Sequence, residues 1–412
     1  MKVLTYTFLL TLLLSISYAA SAQKHLLVLK STQNKLSIRE GQSFHKDAWT
    51  ISSADKPDIF VSQHFKGKER IVFYSDIDSA AFWVKPQRNY DFVVVVNGRD
   101  SAYTRISTYP DKRPTLVPKL FFTRAPHSSL GPDTILFRVD KTFGIHVQGR
   151  LNDSEPLDFL FDTGAGVLVI TAAAANQKVR LKQDGQATNT GADGKRSVLT
   201  SSGNVLQIGG LTWRATSLMT IDYQGVKGID FDGVLGWVAF ENKVVEIDYE
   251  HNYLVIHDKL PIVGPDYSQL EMKIRNGIPF VKCLLTFNGQ QQEGWFDLDT
   301  GSDGWLVVGQ QFAASASMTG NLKRLGAAYT SGSAGGQVAQ TVFSLPTLTL
   351  GRYQLYQLPI YVNEKDPVGG AIPENIGTQI LKRFNLLLDF STNLLYIKPN
   401  KFLYSPIKEF KN

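Results

Sequence analysis

The sequence predicts an all-β protein in which a small β-sandwich-like domain precedes two related β-rich lobes, and three observations lead there. First, β-branched and aromatic residues crowd into short runs bounded by Gly, Asn and Pro, while long stretches with helical periodicity are scarce. Second, Phe159-Leu160-Phe161-Asp162-Thr163-Gly164-Ala165 returns as Phe296-Asp297-Leu298-Asp299-Thr300-Gly301-Ser302, each copy followed by a second apolar run (Val167 to Ile170; Trp305 to Val308). Third, the features around these copies return in the same order. The 412 residues leave room for two or three domains, and 43% apolar content is ordinary for a globular chain.

The chain opens as a secretory signal does. Lys2 supplies the positive start, Phe8 to Ile16 is almost wholly apolar, and Ala20-Ser21-Ala22 is a small-residue cleavage site. Residues 1–22 are therefore expected to be a removed signal peptide, the apolar core being short against the roughly 20 residues a spanning helix needs. No cysteine follows that core to carry a lipid, so no stable membrane anchor is expected, and the protein is read as exported, periplasmic or secreted, from a bacterium. Cys283, the one cysteine, leaves no partner for an intramolecular disulfide and is expected to be buried and inert. The net charge of +6 is dispersed, with no basic run, which argues against a nucleic-acid partner.

Residues 23–110 carry strand-like runs at His25 to Leu29, Asp58 to Val61, Arg70 to Tyr74 and Tyr90 to Val96, the last closed by the hairpin signal Asn97-Gly98. This is the sandwich-like domain; a prosegment, a docking module and a scaffold all remain open as its role. Pro110, Pro114, Pro118, Pro126 and Pro132 oppose helix and central strand alike, and residues 111–132 are expected to connect domains.

The first lobe is placed at 133–262 and the second at 263–406. Gly144-Ile145 pairs with Gly277-Ile278, Asp162 with Asp299, Val234-Leu235-Gly236 with Asn375-Ile376-Gly377, and Asp248 with Asp389. The offset grows from 133 through 137 to 141, as a duplication with loop insertions would leave it. Between turn and glycine element each copy holds a glycine-rich hairpin, Thr188 to Lys195 (with Gly191 and Gly194) and Tyr329 to Gly336 (with Tyr329 and Gly332).

A tight turn after a strand presents one carboxylate, with glycine letting a neighbouring backbone pass close. Two such turns facing one another present two, and like charges at short range share a proton. On these residues the chain resembles the bilobal, pepsin-like aspartic proteases, and more closely the retropepsin-like bacterial proteins with two fused copies of the lobe; the resemblance covers residues 133 to 404. It implies Asp162 and Asp299 as the catalytic pair, holding a water between them. Thr163 and Thr300 would cross-brace the turns, and Gly164 and Gly301 would give N–H groups to the carboxylates. Val234-Leu235-Gly236 and Asn375-Ile376-Gly377 would be the strands beside those turns, and the two hairpins would be flap and counterpart. It also implies a peptide or protein substrate, no cofactor or metal, and a monomer with its site between lobes.

Ser302, with a hydroxyl that Ala165 lacks, is expected to donate to Asp299 and make it the more readily ionised of the two. The tyrosine of a pepsin flap is absent from the first hairpin. Asp297 stands where the strand is usually apolar and is expected to face its other side; an extra carboxylate close to the dyad, Asp297 or Asp303, would raise the dyad's pKa values. The scattered histidines form no His-Glu-x-x-His motif, no G-x-S-x-G elbow exists, and Gly164-Ala165-Gly166 lacks the third glycine of a dinucleotide loop. Paired carboxylates also serve glycosidases, but in a different signature. The competing reading is a catalytically silent peptide- or glycan-binding protein on a protease-like scaffold.

Overall fold

The computed structural model describes residues 26–109, 120–124 and 133–407, apart from 42, 52, 54–56, 63–66, 224, 225, 227 and 367–372. The expected signal peptide and most of the expected connector lie outside the described residues. The chain divides into two compact units, one ending at Lys112 and the other starting at Arg113.

In the first unit the strands are β1 (Leu27–Ser31), β2 (Lys35–Glu40), β3 (Ser43–Thr50), β4 (Asp58–Val61), β5 (Glu69–Tyr74), β6 (Ser79–Val84), β7 (Asn89–Val96) and β8 (Asp100–Ser107). They form two four-stranded sheets, ordered β1-β7-β8-β4 and β3-β2-β5-β6. Alternation decides the inward faces: along β8, Ala102, Thr104 and Ile106 are buried and their neighbours are not. β7 turns into β8 through Asn97 and Gly98, both at positive φ (51° and 67°), as that dipeptide predicts. One core serves both sheets. Phe73 of the second sheet lies 5.2 Å from Phe60 and 5.1 Å from Phe92 of the first, and each buried aromatic of this kind stabilises by about 1.5–3 kcal/mol.

The second unit begins, among the described residues, with β9 (Phe122–Arg124), β10 (Thr134–Val139), β11 (Ile145–Leu151), β12 (Leu157–Asp162), β13 (Leu168–Thr171) and helix α1 (Ala172–Gln177). Then come β14 (Gln183–Gly191), β15 (Gly194–Ile208), β16 (Leu211–Ile221), β17 (Gly233–Gly236), a 3-10 turn (Trp237–Phe240), β18 (Val244–Asp248) and β19 (Tyr253–His257). Its second half holds β20 (Ser268–Arg275), β21 (Ile278–Phe287), β22 (Gln290–Leu298), β23 (Leu306–Val308), and short helices α2 (Gln310–Ser315) and α3 (Met318–Asn321). β24 (Lys323–Ser331), β25 (Gln337–Leu350), β26 (Tyr353–Asn363), β27 (Asn375–Ile376), α4 (Thr378–Leu381), β28 (Phe384–Asp389) and β29 (Leu394–Pro399) complete it.

The two halves pair their strands alike. β12 runs parallel to β17, β17 antiparallel to β13, and β13 parallel to β16; β22, β27, β23 and β26 repeat that order and those directions. Such interlocking needs backbone to cross backbone, and glycine allows it. A Cβ on Gly236 would lie 2.5 Å from the Ala165 carbonyl oxygen, and one on Gly377 2.8 Å from the Gly304 carbonyl carbon. A six-stranded sheet, β10-β19-β18-β28-β29-β20, runs across both halves, joined at the centre where Val244 pairs with Asp389 and Ile247 with Leu386. The described part of the expected connector, residues 120–124, includes β9, which pairs with β16 and places Phe122 5.3 Å from Trp213. That stretch is sheet rather than linker, because its apolar residues have a core to join. No helix among the described residues is long and apolar enough to cross a membrane.

Candidate active site

β12 and β22 each bury one face in the core: Phe159, Phe161, Phe296 and Leu298 are at most 1% exposed. The strands end at the two turns, and Thr163 and Thr300 are wholly buried between them. The Thr163 N–H donates to Thr300 Oγ1 at 3.0 Å and the Thr300 N–H to Thr163 Oγ1 at 3.0 Å. Each hydroxyl then donates to the opposite strand, Thr300 to the Phe161 carbonyl at 2.8 Å and Thr163 to the Leu298 carbonyl. Within each turn the glycine N–H meets the carboxylate, Gly164 to Asp162 at 2.8 Å and Gly301 to Asp299 at 2.9 Å. The turns face each other so closely that a Cβ on Gly164 would lie 2.7 Å from the Asp299 carboxyl carbon, and one on Gly301 2.7 Å from Asp162 Oδ1. The two carboxyls thus lie close enough to share a proton.

Burial pushes the Asp162 carboxyl well above the usual carboxylate range, and the charge of Asp299 pushes it further. Asp299 is also raised by burial, which the neighbouring Asp162 carboxyl and the N–H of Gly301 partly offset. Two further groups help it: the side-chain amide of Asn375, whose Nδ2 donates to Asp299 Oδ2, and the Ser302 N–H. The Ser302 N–H has its counterpart in the Ala165 N–H on Asp162, so Asn375, and not the hydroxyl of Ser302, distinguishes the two turns.

Asp297 shares a face with Asp299, as positions two apart in a strand do, contrary to the expectation that it turns away. It is register-paired with Asn375 across β22 and β27. Burial, then the charges of Asp299 and Asp162, push its carboxyl well above the usual range. Asp303 is exposed.

The hairpins stand as expected: β14 and β15 turn at Ala192-Asp193 between Gly191 and Gly194, and β24 and β25 turn at 332–336 after Tyr329, whose ring is exposed. Their tips join. Asp193 accepts from the Ala334 N–H at 3.0 Å and the Gly336 N–H at 2.6 Å, and Asn189 Nδ2 donates to Ser333 Oγ at 2.9 Å. Gly191 and Gly332 admit this contact, a Cβ on Gly191 lying 2.7 Å from Ser333 Oγ. Tyr223, half-buried against Phe231, is in the field of both Asp162 and Asp193, and burial with those charges pushes its hydroxyl up. Lying beyond β16, it is far from either hairpin in the sequence.

Asp140, His146 and Asp230 have ligand atoms within 4.8 Å of one another. His146 Nδ1 is already held by Asp158 at 3.2 Å and Arg138 at 2.9 Å, and Asp140 Oδ1 accepts from the Thr142 and Gly144 N–H groups at 2.7 and 2.9 Å. Burial alone would lower the imidazole pKa, but the hydrogen bond and charge of Asp158 outweigh it and raise the net value. The cluster is an ion-pair network fastening β11 to the turn before it. Cys283 is buried, which pushes its thiol up and leaves it unreactive.

Every residue singled out from the sequence at the two turns is thus brought to one place. Asn375, Tyr223 and Asp193 are the site residues that sequence reasoning passed over. Asn375 alone left a signal, a polar side chain where the matching element of the first half has Val234. No curated protein matches the chain. Residues 147–238, the segment holding both Asp162-Thr163-Gly164 and Val234-Leu235-Gly236, match the family model described as aspartyl protease.

Proposed function

We propose that the protein is an aspartic endopeptidase, and that residues 147–238 and the matching stretch of the second half are two copies of one ancestral lobe. The observation that carries the reading is the pair of facing turns, in which Thr163 and Thr300 exchange hydrogen bonds and each carboxyl is held by the glycine N–H of its own turn. The family match supports proteolysis in general. In the reaction, ionised Asp299 takes a proton from a water between the carboxyls, and the water oxygen bonds to the scissile carbonyl carbon. Protonated Asp162 gives its proton to the carbonyl oxygen. The tetrahedral adduct then collapses: Asp299 passes the proton it took from water to the leaving nitrogen, the C–N bond breaks, and a hydroxyl of the adduct returns a proton to Asp162, with no covalent enzyme intermediate. The pair titrates as a unit, so activity against pH is bell-shaped. The hairpins close over a bound peptide and exclude water.

The same reading makes the protein exported, periplasmic or secreted, and a monomer whose partner is its peptide or protein substrate. The N-terminal unit serves as scaffold or docking module. Digestion of a mixed peptide library across pH 3 to 8, with wild type beside Asp162→Asn, tests it. Cleavage by wild type alone is expected; cleavage by both would remove the assignment.

A further inference from the structure

At one matched register pair beside the turns, the two halves differ in polarity. In the first half the strand position two before the catalytic turn is Leu160, and its register partner on β17 is Val234. Both are buried and apolar. In the second half the same two positions, again register partners, are Asp297 and Asn375. Two apolar residues in contact have been exchanged together for two polar ones, on the face of β22 that leads to Asp299. The exchange is costly on its own terms. Asp297 Oδ1 and Asn375 Oδ1 are both buried, and neither has a hydrogen-bond donor, although a buried oxygen left unpaired destabilises. Asn375 spends its Nδ2 on Asp299, which aims its Oδ1 away from that carboxylate.

We propose that Asp297, Asn375 and Asp299 form a relay in which a proton held by Asp297 is shared with Asn375 Oδ1, fixing the amide so that its N–H always faces Asp299. The inference rests on reading Asp162 and Asp299 as a hydrolytic pair, and it makes Asp297 and Asn375 positioning residues that assign the base. One proton satisfies both orphaned oxygens. With the amide oxygen engaged, Asn375 cannot turn over and present that oxygen to the ionised carboxylate. Asp299 therefore takes the proton from water, and Asp162 stays the acid. Asp297 does this only while neutral, which its burial and the neighbouring Asp299 and Asp162 favour; these are the titratable groups that face it, with Phe280 opposite on β21 and the Glu374 carbonyl receiving its backbone N–H at 2.9 Å.

The test uses the full chain and a quenched-fluorescent peptide chosen from the library digestion. Asn375→Val removes the amide alone, and the double variant Asp297→Leu with Asn375→Val rebuilds the apolar pair of the first half, so that folding is preserved in the double variant. In both, kcat is expected to fall by about tenfold with KM little changed, and the acidic limb of the pH profile to move up by about one unit. Asp297→Asn keeps a neutral donor beside Asn375 and should displace the limb less than Asp297→Leu does. A double variant with the wild-type pH profile, or with raised KM and unchanged kcat, overturns the proposal. A readout independent of turnover separates this from failure of the protease reading: with aspartate carboxyl carbons labelled, NMR should show a carboxyl protonated through neutral pH in wild type and lost in Asp297→Asn. If wild type cleaves no peptide but that signal is present, the stored proton stands and the hydrolytic reading falls. If no such signal exists, the relay falls whatever the activity.

Discussion

Thr163 and Thr300, 137 positions apart, each receive the other's backbone N–H on the side-chain oxygen at 3.0 Å, with no solvent access to either. Each hydroxyl is at once an acceptor from the backbone of the opposite half and a donor to a strand carbonyl of that same opposite half. The separation of Asp162 and Asp299 is therefore set by buried hydrogen bonds beneath the carboxylates, in a region where water cannot compete.

Thr163→Ala removes an acceptor from the Thr300 N–H and a donor from the Leu298 carbonyl, leaving two buried backbone groups unpaired. The expected loss of stability is about 2–4 kcal/mol, with peptidase activity falling at least a hundredfold. Thr163→Ser, which keeps the hydroxyl, should retain most of both. Urea unfolding followed beside kcat/KM decides it, and an alanine variant as stable as wild type would sink the idea.

The dyad weakens the fold as pH rises. Both carboxyls have folded-state values raised above the ordinary 3.8, so the folded state holds protons that the unfolded state has released. Their contribution is fully present below about pH 3.8 and is lost as pH climbs through the folded values. Asp162→Asn removes the part of this dependence that Asp162 contributes and leaves the part that burial gives Asp299. It should be catalytically dead yet more stable than wild type by about 1–3 kcal/mol near neutrality, the gap closing toward pH 4. Thermal melts of both proteins at matched pH measure it; equal melting temperatures throughout would refute the sign.

Asp193→Ala cuts both bonds from the first hairpin to the N–H groups of Ala334 and Gly336. These tips carry little core, so the global melting temperature should stay within about 3 °C. Amide exchange at 334 and 336 should quicken by at least tenfold, and KM should rise more than kcat falls. Unchanged exchange at those amides would show that the tips are held by something else.

What could be read from the sequence was whatever is local. The turn residues, the glycines that admit a crossing backbone and the strands either side of Asn97-Gly98 all announce themselves within a few positions. The register pairing of Asp297 with Asn375 does not, because it joins parallel strands 78 residues apart. Alternation alone puts Asp297 on the same strand face as Asp299. Asp193 looked like an ordinary turn residue, its partners lying 141 and 143 positions away. Tyr223 belongs to neither hairpin, so no motif led to it. β9 was hidden by the prolines around it, although Phe122 needed a core to join.

The sheet that runs from β10 through β18 and β28 to β20 has a mechanical consequence. Its two central strands belong to different halves and share backbone hydrogen bonds along Val244 to Ile247, so parting the halves would mean unzipping a ladder in the middle of a sheet. The floor is stiff. On the proposed reading a peptide enters by parting the hairpin tips, where a few bonds around Asp193 and Asn189 yield far more easily. Turnover could then be throttled by the speed of an unlatching roof rather than by the chemistry below it.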